Sequence, residues 1–308
     1  MQDGLLGVRF ASIMPIAKER VQFVFQKLER DLLKLSSHQR METVHAFRTS
    51  ARRLQTLLGQ VLTERDRNRK KLLKLLGEIR RYAGKVRDLD VQLAALRSLK
   101  TPQEPRRKTQ LIQKLLELRA QHEKKMRKHL TKQTIREIRK RLRRAAKEVD
   151  CESLRDPLAI AVEILKQAAP ASDARTNSPA GSPTDDALHR FRIAVKSARY
   201  AAEFAPQSAQ ARQFIAHLQR LQDALGNWHD WLTLTNTASA RLGDVNQSPL
   251  VAEIHNVTGG KFRQAVAALS PLPAVQKPAK LSPAPSTRSR PPRSKAQELE
   301  QARTDSAA

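Results

Sequence analysis

Two stretches of the chain carry a histidine followed by cationic side chains at matching intervals. The first is Val44-His45-Ala46-Phe47-Arg48-Thr49-Ser50-Ala51-Arg52-Arg53 and the second Leu188-His189-Arg190-Phe191-Arg192-Ile193-Ala194-Val195-Lys196-Ser197-Ala198-Arg199. His45 pairs with His189, Arg48 with Arg192 and Arg52 with Lys196 at one constant offset of 144 residues. The chemistry open to such a set is the capture of a polyanion. Arginine offers a two-pronged fork to phosphate oxygens and lysine a point charge. A histidine donates to phosphate when protonated, and a nearby anion favours that state. His45 and His189 read equally well as neutral groups bonding between helices.

At the α-helical step of about 100° per residue, each stretch resolves into two stripes. Val44, Phe47, Ala51 and Leu54 fall together, as do Leu188, Phe191, Val195 and Ala198. These stripes face a bundle core. One residue along lie His45, Arg48 and Arg52, and in the second copy His189, Arg192, Lys196 and Arg199. No acidic residue at i+3 or i+4 relieves the repulsion within either row before Glu203, so a merely solvated face is the weaker reading.

A second feature is also doubled. Gly84-Lys85-Val86-Arg87-Asp88 returns as Gly226-Asn227-Trp228-His229-Asp230, offset by 142 residues. Gly84 is read as a kink or a close helix crossing. Two readings stand for Asp88: with Asp90 it could orient an Arg87 aimed at the anion, or it is a helix-restart cap or a partner of Arg87 or Lys85, which is favoured because a carboxylate facing a polyanion would repel it; Asp230 is read the same way. His229 stands where the first half has Arg87, Gln55 where the second has Arg199, and Ser197 where the first has Arg53. Unequal halves are therefore expected.

These doubled motifs resemble the CHAD family, a conserved-histidine α-helical domain, over roughly residues 12–270. The resemblance implies an all-α fold of two four-helix bundles related by pseudo-two-fold symmetry, whose shared basic cavity binds inorganic polyphosphate. Repeat 1 would span about 12–131 and repeat 2 about 132–270, with an internal linker at 170–184. The polyphosphate-binding set expected on this basis is His45, Arg48, Arg52, Arg53, Arg81, Lys85, Arg87, Arg136, Arg139, Arg143, His189, Arg192, Lys196 and Arg199.

Composition is consistent with that picture. Of 308 residues, 40% are apolar but only 4% aromatic, and Leu and Ala dominate, which favours helices over sheets. The formal charge of +28 demands polyanionic company. From Glu64 to Lys147 there are 29 Lys and Arg against 9 Asp and Glu, so the excess sits in helices rather than in a tail. Arg136, Arg139 and Arg143 share one face and are expected to line the same cavity, leaving Lys140, Arg141 and Arg144 to solvent.

Helices are expected at about 15–37, 41–62, from 65 onward with weak points at Gly77 and Gly84, after the 101–105 break, at 155–169, from Thr184 to Pro206, at 208–242 with an interruption near Gly226, and at 248–269. Thr43 or Ser36 and Ser37 would cap the second helix, and Thr184 with Asp185 and Asp186 the second motif helix. Residues 271–308, with seven prolines and few large apolar groups, read as a disordered tail of modest positive charge. The single Cys151 precludes an internal disulfide and reads as a small buried side chain. No apolar run reaches the ~20 residues of a membrane span and no secretory signal is evident. A cytoplasmic protein is expected, associated with polyphosphate granules if the resemblance holds.

Nucleic acid is the competing polyanion. No zinc-finger, RRM-type or helix-turn-helix pattern stands out, and single-strand binders use aromatic platforms that the basic helices lack. Trp228 and Trp231 are the exceptions, at least one of them expected in the core. Catalysis is not expected: relatives fused to a triphosphatase-like barrel carry Glu-x-Glu-x-Lys strands, absent here. No metal or other cofactor is expected, since cations crowd His45, His189, Asp88 and Asp230, and His217, His229 and His255 lack ligand spacing.

Overall fold

The computed structural model describes residues 18–61 (the side chains of 60 and 61 aside), 66–100, 104–151, 155–168 and 184–269. They belong to one compact unit within residues 1–273; a second unit, 274–308, lies outside the described residues. So do the expected tail and all but the last residue of the 170–184 linker.

Among the described residues every regular element is helical: α1 (Lys18–Ser37), α2 (Met41–Val61), α3 (Arg67–Ser98), α4 (Pro105–His129), α5 (Lys132–Glu148), α6 (Pro157–Ala168), α7 (Asp185–Ala202), α8 (Ala209–Leu242) and α9 (Pro249–Ala267). Side chains start five of them. Asp66, Thr131, Thr184, Ser208 and Ser248 each accept a hydrogen bond from the backbone N–H three residues on, at 3.0–3.4 Å. Each such cap contributes about 1 kcal/mol. The expected caps of α2 are absent: Thr43 donates to the carbonyls of His38 and Arg40, and Ser36 and Ser37 donate back to Leu33. α8 runs unbroken through Gly226, correcting the expected interruption, and α3 runs unbroken through Gly84, where Arg48 of α2 comes close, as the crossing alternative expected. Packing on both sides outweighs the ~1 kcal/mol propensity penalty of a helical glycine.

The core forms three apolar clusters. The first joins α1, α2, the N-terminal half of α3 and α5 around Leu28, Phe47, Leu54, Ile79 and Leu142. The second joins α6, α7, the N-terminal half of α8 and the end of α9 around Leu188, Leu218 and Trp228. The third joins the C-terminal halves of α3 and α8 with α4 and α9, through Leu93, Leu96, Leu115, Leu234 and Ile254. Trp228 is core, as expected of at least one tryptophan, and Trp231 packs against the third cluster. Full burial of each Leu or Phe contributes about 1.5–3 kcal/mol.

Helix neighbours repeat in order, α1–α2–α3–α4 and then α6–α7–α8–α9, and across the halves α2 meets α7 and α3 meets α8. Helices at matching places in the two orders thus touch each other. α5 has no counterpart in this order. A second repeat beginning near residue 132 would include it, yet Ile138, Leu142 and Ala145 pack into the first cluster against α1 and α3. Cys151 sits half-buried against that cluster.

The two long helices decide where a site can form. α3 leaves the first cluster at Val86 and enters the third at Leu89; α8 leaves the second at Trp228 and enters the third at Leu234. The residues between, Arg87 with Asp88 and His229 with Asp230, lie at the junction of all three.

Candidate functional site

α2, α3, α7 and α8 enclose a cavity of about 770 Å³. α2 contributes His45, Arg48 and Arg52; α7 contributes His189, Arg192 and Lys196. Their apolar stripes hold them there. Val44, Phe47, Ala51 and Leu54 are buried in the first cluster, Leu188, Phe191, Val195 and Ala198 in the second, and the residue one step along each helix faces the other half. α3 adds Arg87 and Asp88, and α8 adds His229 and Asp230.

The cations crowd one another. Nη1 of Arg48 stands 3.9 Å from Oδ1 of Asp88, and Nη2 of Arg192 stands 4.0 Å from Oδ1 of Asp230. Both separations are too long for a hydrogen bond. The two guanidinium side chains are only 25% and 15% exposed, and Arg48 Nη1 and Arg192 Nε find no hydrogen-bond partner. Burial pulls both arginines below their usual range, opposed by Asp88 and Asp230 respectively. Lys196 is pushed down from 10.5 to about 7 by burial and then by Arg192. Burial and Arg192 likewise take His229 down to about 4, while burial, Arg87 and Arg48 lower His45. Asp230 moves the other way: its burial outweighs the attraction of Arg192 and Lys196. The site is short of negative charge and of hydrogen-bond acceptors.

Seven of the expected residues meet here: His45, Arg48, Arg52, Arg87, His189, Arg192 and Lys196. The other seven lie outside the cavity lining. Arg53 and Arg199 close on Glu203, Arg53 through Nε at 2.6 Å, and their guanidinium groups flank the ring of Tyr200. Arg139 and Arg143 reach Glu29 at 2.6 and 3.3 Å, because α5 packs its cationic flank beside α1. Arg136 is exposed on α5. Arg81, lying over Tyr82, and Lys85, beside His122 of α4, are exposed on the outer face of α3.

Asp88 and Asp230 face the cavity in the middle of continuous helices; neither caps a restart, and the cation each approaches belongs to the neighbouring helix. His229 meets the ring of His189 edge-on, 4.7 Å between centroids, and shares a hydrogen bond with Thr233. Its place opposite Arg87 in the doubled motif was the signal for it. Gln92, Tyr200, Gln222 and Asn227 also line the cavity, and nothing in the sequence set them apart. No group of three or more His, Cys, Asp or Glu among the described residues is disposed to hold a metal, and none of the described helices is long and apolar enough to cross a membrane.

The fold is shared with solved structures. The CHAD domain from the plant Ricinus communis superposes with a TM-score of 0.58 at 18% identity, over 89% of this chain and 99% of that one. PptA from Streptomyces chartreusis superposes with a TM-score of 0.53 at 19% identity, over 83% and 96%. No curated protein matches the sequence. The family model for the CHAD domain matches residues 20–239, which takes in both histidine helices, α3 and the cavity-lining part of α8. The chain belongs to the CHAD-domain family.

Proposed function

We propose that this protein binds inorganic polyphosphate in the cavity between its halves and leaves it chemically unchanged. One observation carries the reading. Arg48, Arg52, Arg87, Arg192 and Lys196 are gathered around one space with three carboxylates, Asp88, Asp223 and Asp230, among them, and burial has already cost several of these cations part of their charge stability. A linear polyanion supplies closely spaced oxygens that relieve the repulsion and fill the unused donors. Little else is needed, since such a ligand offers charge rather than shape or base edges to read.

The test is binding by the purified protein at low salt. Wild type should bind polyphosphate, and Arg48→Ala, Arg52→Ala, Arg192→Ala and Lys196→Ala combined should lose it. No affinity, or full affinity in the combined variant, would overturn the reading. Polyphosphate should displace nucleic acid at far lower phosphate concentration than the reverse, and incubation should release no orthophosphate. In cells such a protein would follow cytoplasmic polyphosphate into granules, which imaging of a fluorescent fusion checks.

A further inference from the structure

Most of the excess charge lies outside the cavity. From Arg67 to Arg87 the sequence has nine Lys and Arg against one acidic residue, Glu78. Only Arg87 of those cations lines the cavity. Arg69 turns inward to Asp66 and the carbonyl of Glu148, and Arg80 bonds Gln55. Arg67, Lys70, Lys74, Arg81 and Lys85 are all exposed. Their steps of three, four, seven and four residues keep them within an arc of about 60° on the helix surface. Three residues beyond Lys85 on the same arc comes Asp88, at the cavity wall. The stripe thus starts at the cavity and runs back along α3 for about 27 Å from Lys85 to Arg67, at 1.5 Å per residue. The buried Leu72, Leu76, Ile79, Ala83 and Val86 on the other side keep it turned outward.

No carboxylate among the described residues pairs with Arg67, Lys74, Arg81 or Lys85. Four arginines of α5 differ: Arg139 and Arg143 are held by Glu29, Arg141 by Glu137 and Arg144 by Glu148. Beside the stripe, α4 adds Lys125 and His122 near Lys85, and its Glu123 is taken by Arg119 and Arg127. The one aromatic along it, Tyr82, is half-buried and stacked on His129, so the stripe has no platform for unstacked bases.

We propose that this stripe is an exterior extension of the site, engaged by the part of a polyphosphate chain that overhangs the cavity, and that it makes affinity depend on chain length. The inference rests on the cavity reading. Continuity with the cavity and charge complementarity select the occupant. Once a segment is seated inside, contact with the stripe is intramolecular and adds affinity without a second encounter. Each cation engaged releases further counterions.

The test compares sodium tripolyphosphate with size-fractionated long-chain polyphosphate, titrated into the full chain, with affinity expressed per phosphate to remove the statistical gain of a longer lattice. Wild type should bind the long chain about tenfold more tightly on that scale. Arg67→Gln, Lys74→Gln and Arg81→Gln together should leave tripolyphosphate affinity within about twofold and abolish most of the long-chain gain. The slope of log affinity against log salt for the long chain should become shallower by about 2, taking roughly 0.7 for each of three cations. Arg144→Gln, on the compensated α5 surface, should leave the ratio unchanged. Equal affinity of wild type for both ligands, or an undiminished gain in the triple variant, would overturn the exterior track while the cavity reading stands. Failure of wild type to bind either ligand would overturn both.

Discussion

A Cβ placed on Gly84 would stand 2.7 Å from Nη1 of Arg48. The glycine of α3 is therefore the floor on which the leading arginine of α2 rests, and its absent side chain lets that guanidinium lie between two helices and still face the cavity. The equivalent Gly226 has nothing within 4 Å. Gly84→Ala should keep the fold, since the end of a flexible side chain can move aside and alanine improves helix propensity by about 1 kcal/mol. It should cost about 10-fold or more in polyphosphate affinity by displacing Arg48, the loss expected for one charge-assisted contact. Gly226→Ala should stabilise α8 and leave affinity nearly unchanged. Thermal melting paired with titration separates the two outcomes.

Lys196 makes both stability and binding depend on pH. In the empty fold its amine gives up its proton above about 7, whereas in the unfolded chain it stays charged to about 10.5. Between those values the unfolded state binds more protons, so the unliganded protein should gain stability as pH rises from 7 towards 9. A bound polyanion reverses the balance by restoring the charge. Affinity should be highest below pH 7 and fall by up to about tenfold per pH unit above it. His45 and His229, both lowered, should steepen the trend on the acid side, and protonation of Asp230, whose carboxyl is raised by burial, should add to it. Lys196→Arg should flatten the profile between pH 7 and 8.5, measured by titration calorimetry in buffers of different ionisation enthalpy.

Asp230 approaches Arg192 only to 4.0 Å and makes no hydrogen bond to it, so its hold on the arginine is weaker than its repulsion of an anion. Asp230→Asn should bind polyphosphate more tightly, by roughly three- to tenfold. The empty protein should keep its stability or gain slightly, because burial of the ionised carboxylate already outweighs its attraction to Arg192 and Lys196. Weaker binding would instead identify Asp230 as a positioning residue for Arg192.

Glu203 ties the halves together beside the cavity. Its carboxylate takes Arg53 of α2 at 2.6 Å and Arg199 of α7, and its backbone carbonyl accepts from Arg20 of α1 at 3.2 Å. Phe204, the next residue, inserts into the first apolar cluster. Glu203→Gln should lower stability by about 1–3 kcal/mol, the cost of leaving half-buried guanidinium groups without their anion. Chemical denaturation measures this, and polyphosphate at saturating concentration should recover part of the loss.

Much of this protein was legible in its residues. Helical content, the core stripes of Phe47 and Phe191, the cap at Thr184 and the placing of Arg48 with Arg52 and of Arg192 with Lys196, each pair on one stripe, all follow from a period of 3.6 and a repeated spacing, which act within a single helix. Only the tertiary structure decided which cations are spent. Arg53, Arg139, Arg143 and Arg199 have the same chemistry as the cavity arginines and sit at comparable spacing. Arg199 is taken by Glu203 one turn further along its own helix, whereas Arg53, Arg139 and Arg143 meet Glu203 and Glu29, far away in sequence, only because α7 crosses α2 and α5 packs on α1. Asp88 and Asp230 were misread for the same reason, since the partner of each comes from a neighbouring helix. A helical period specifies direction around one axis. Which charges remain unpaired depends on how several axes are set against one another, and long-range packing alone determines that.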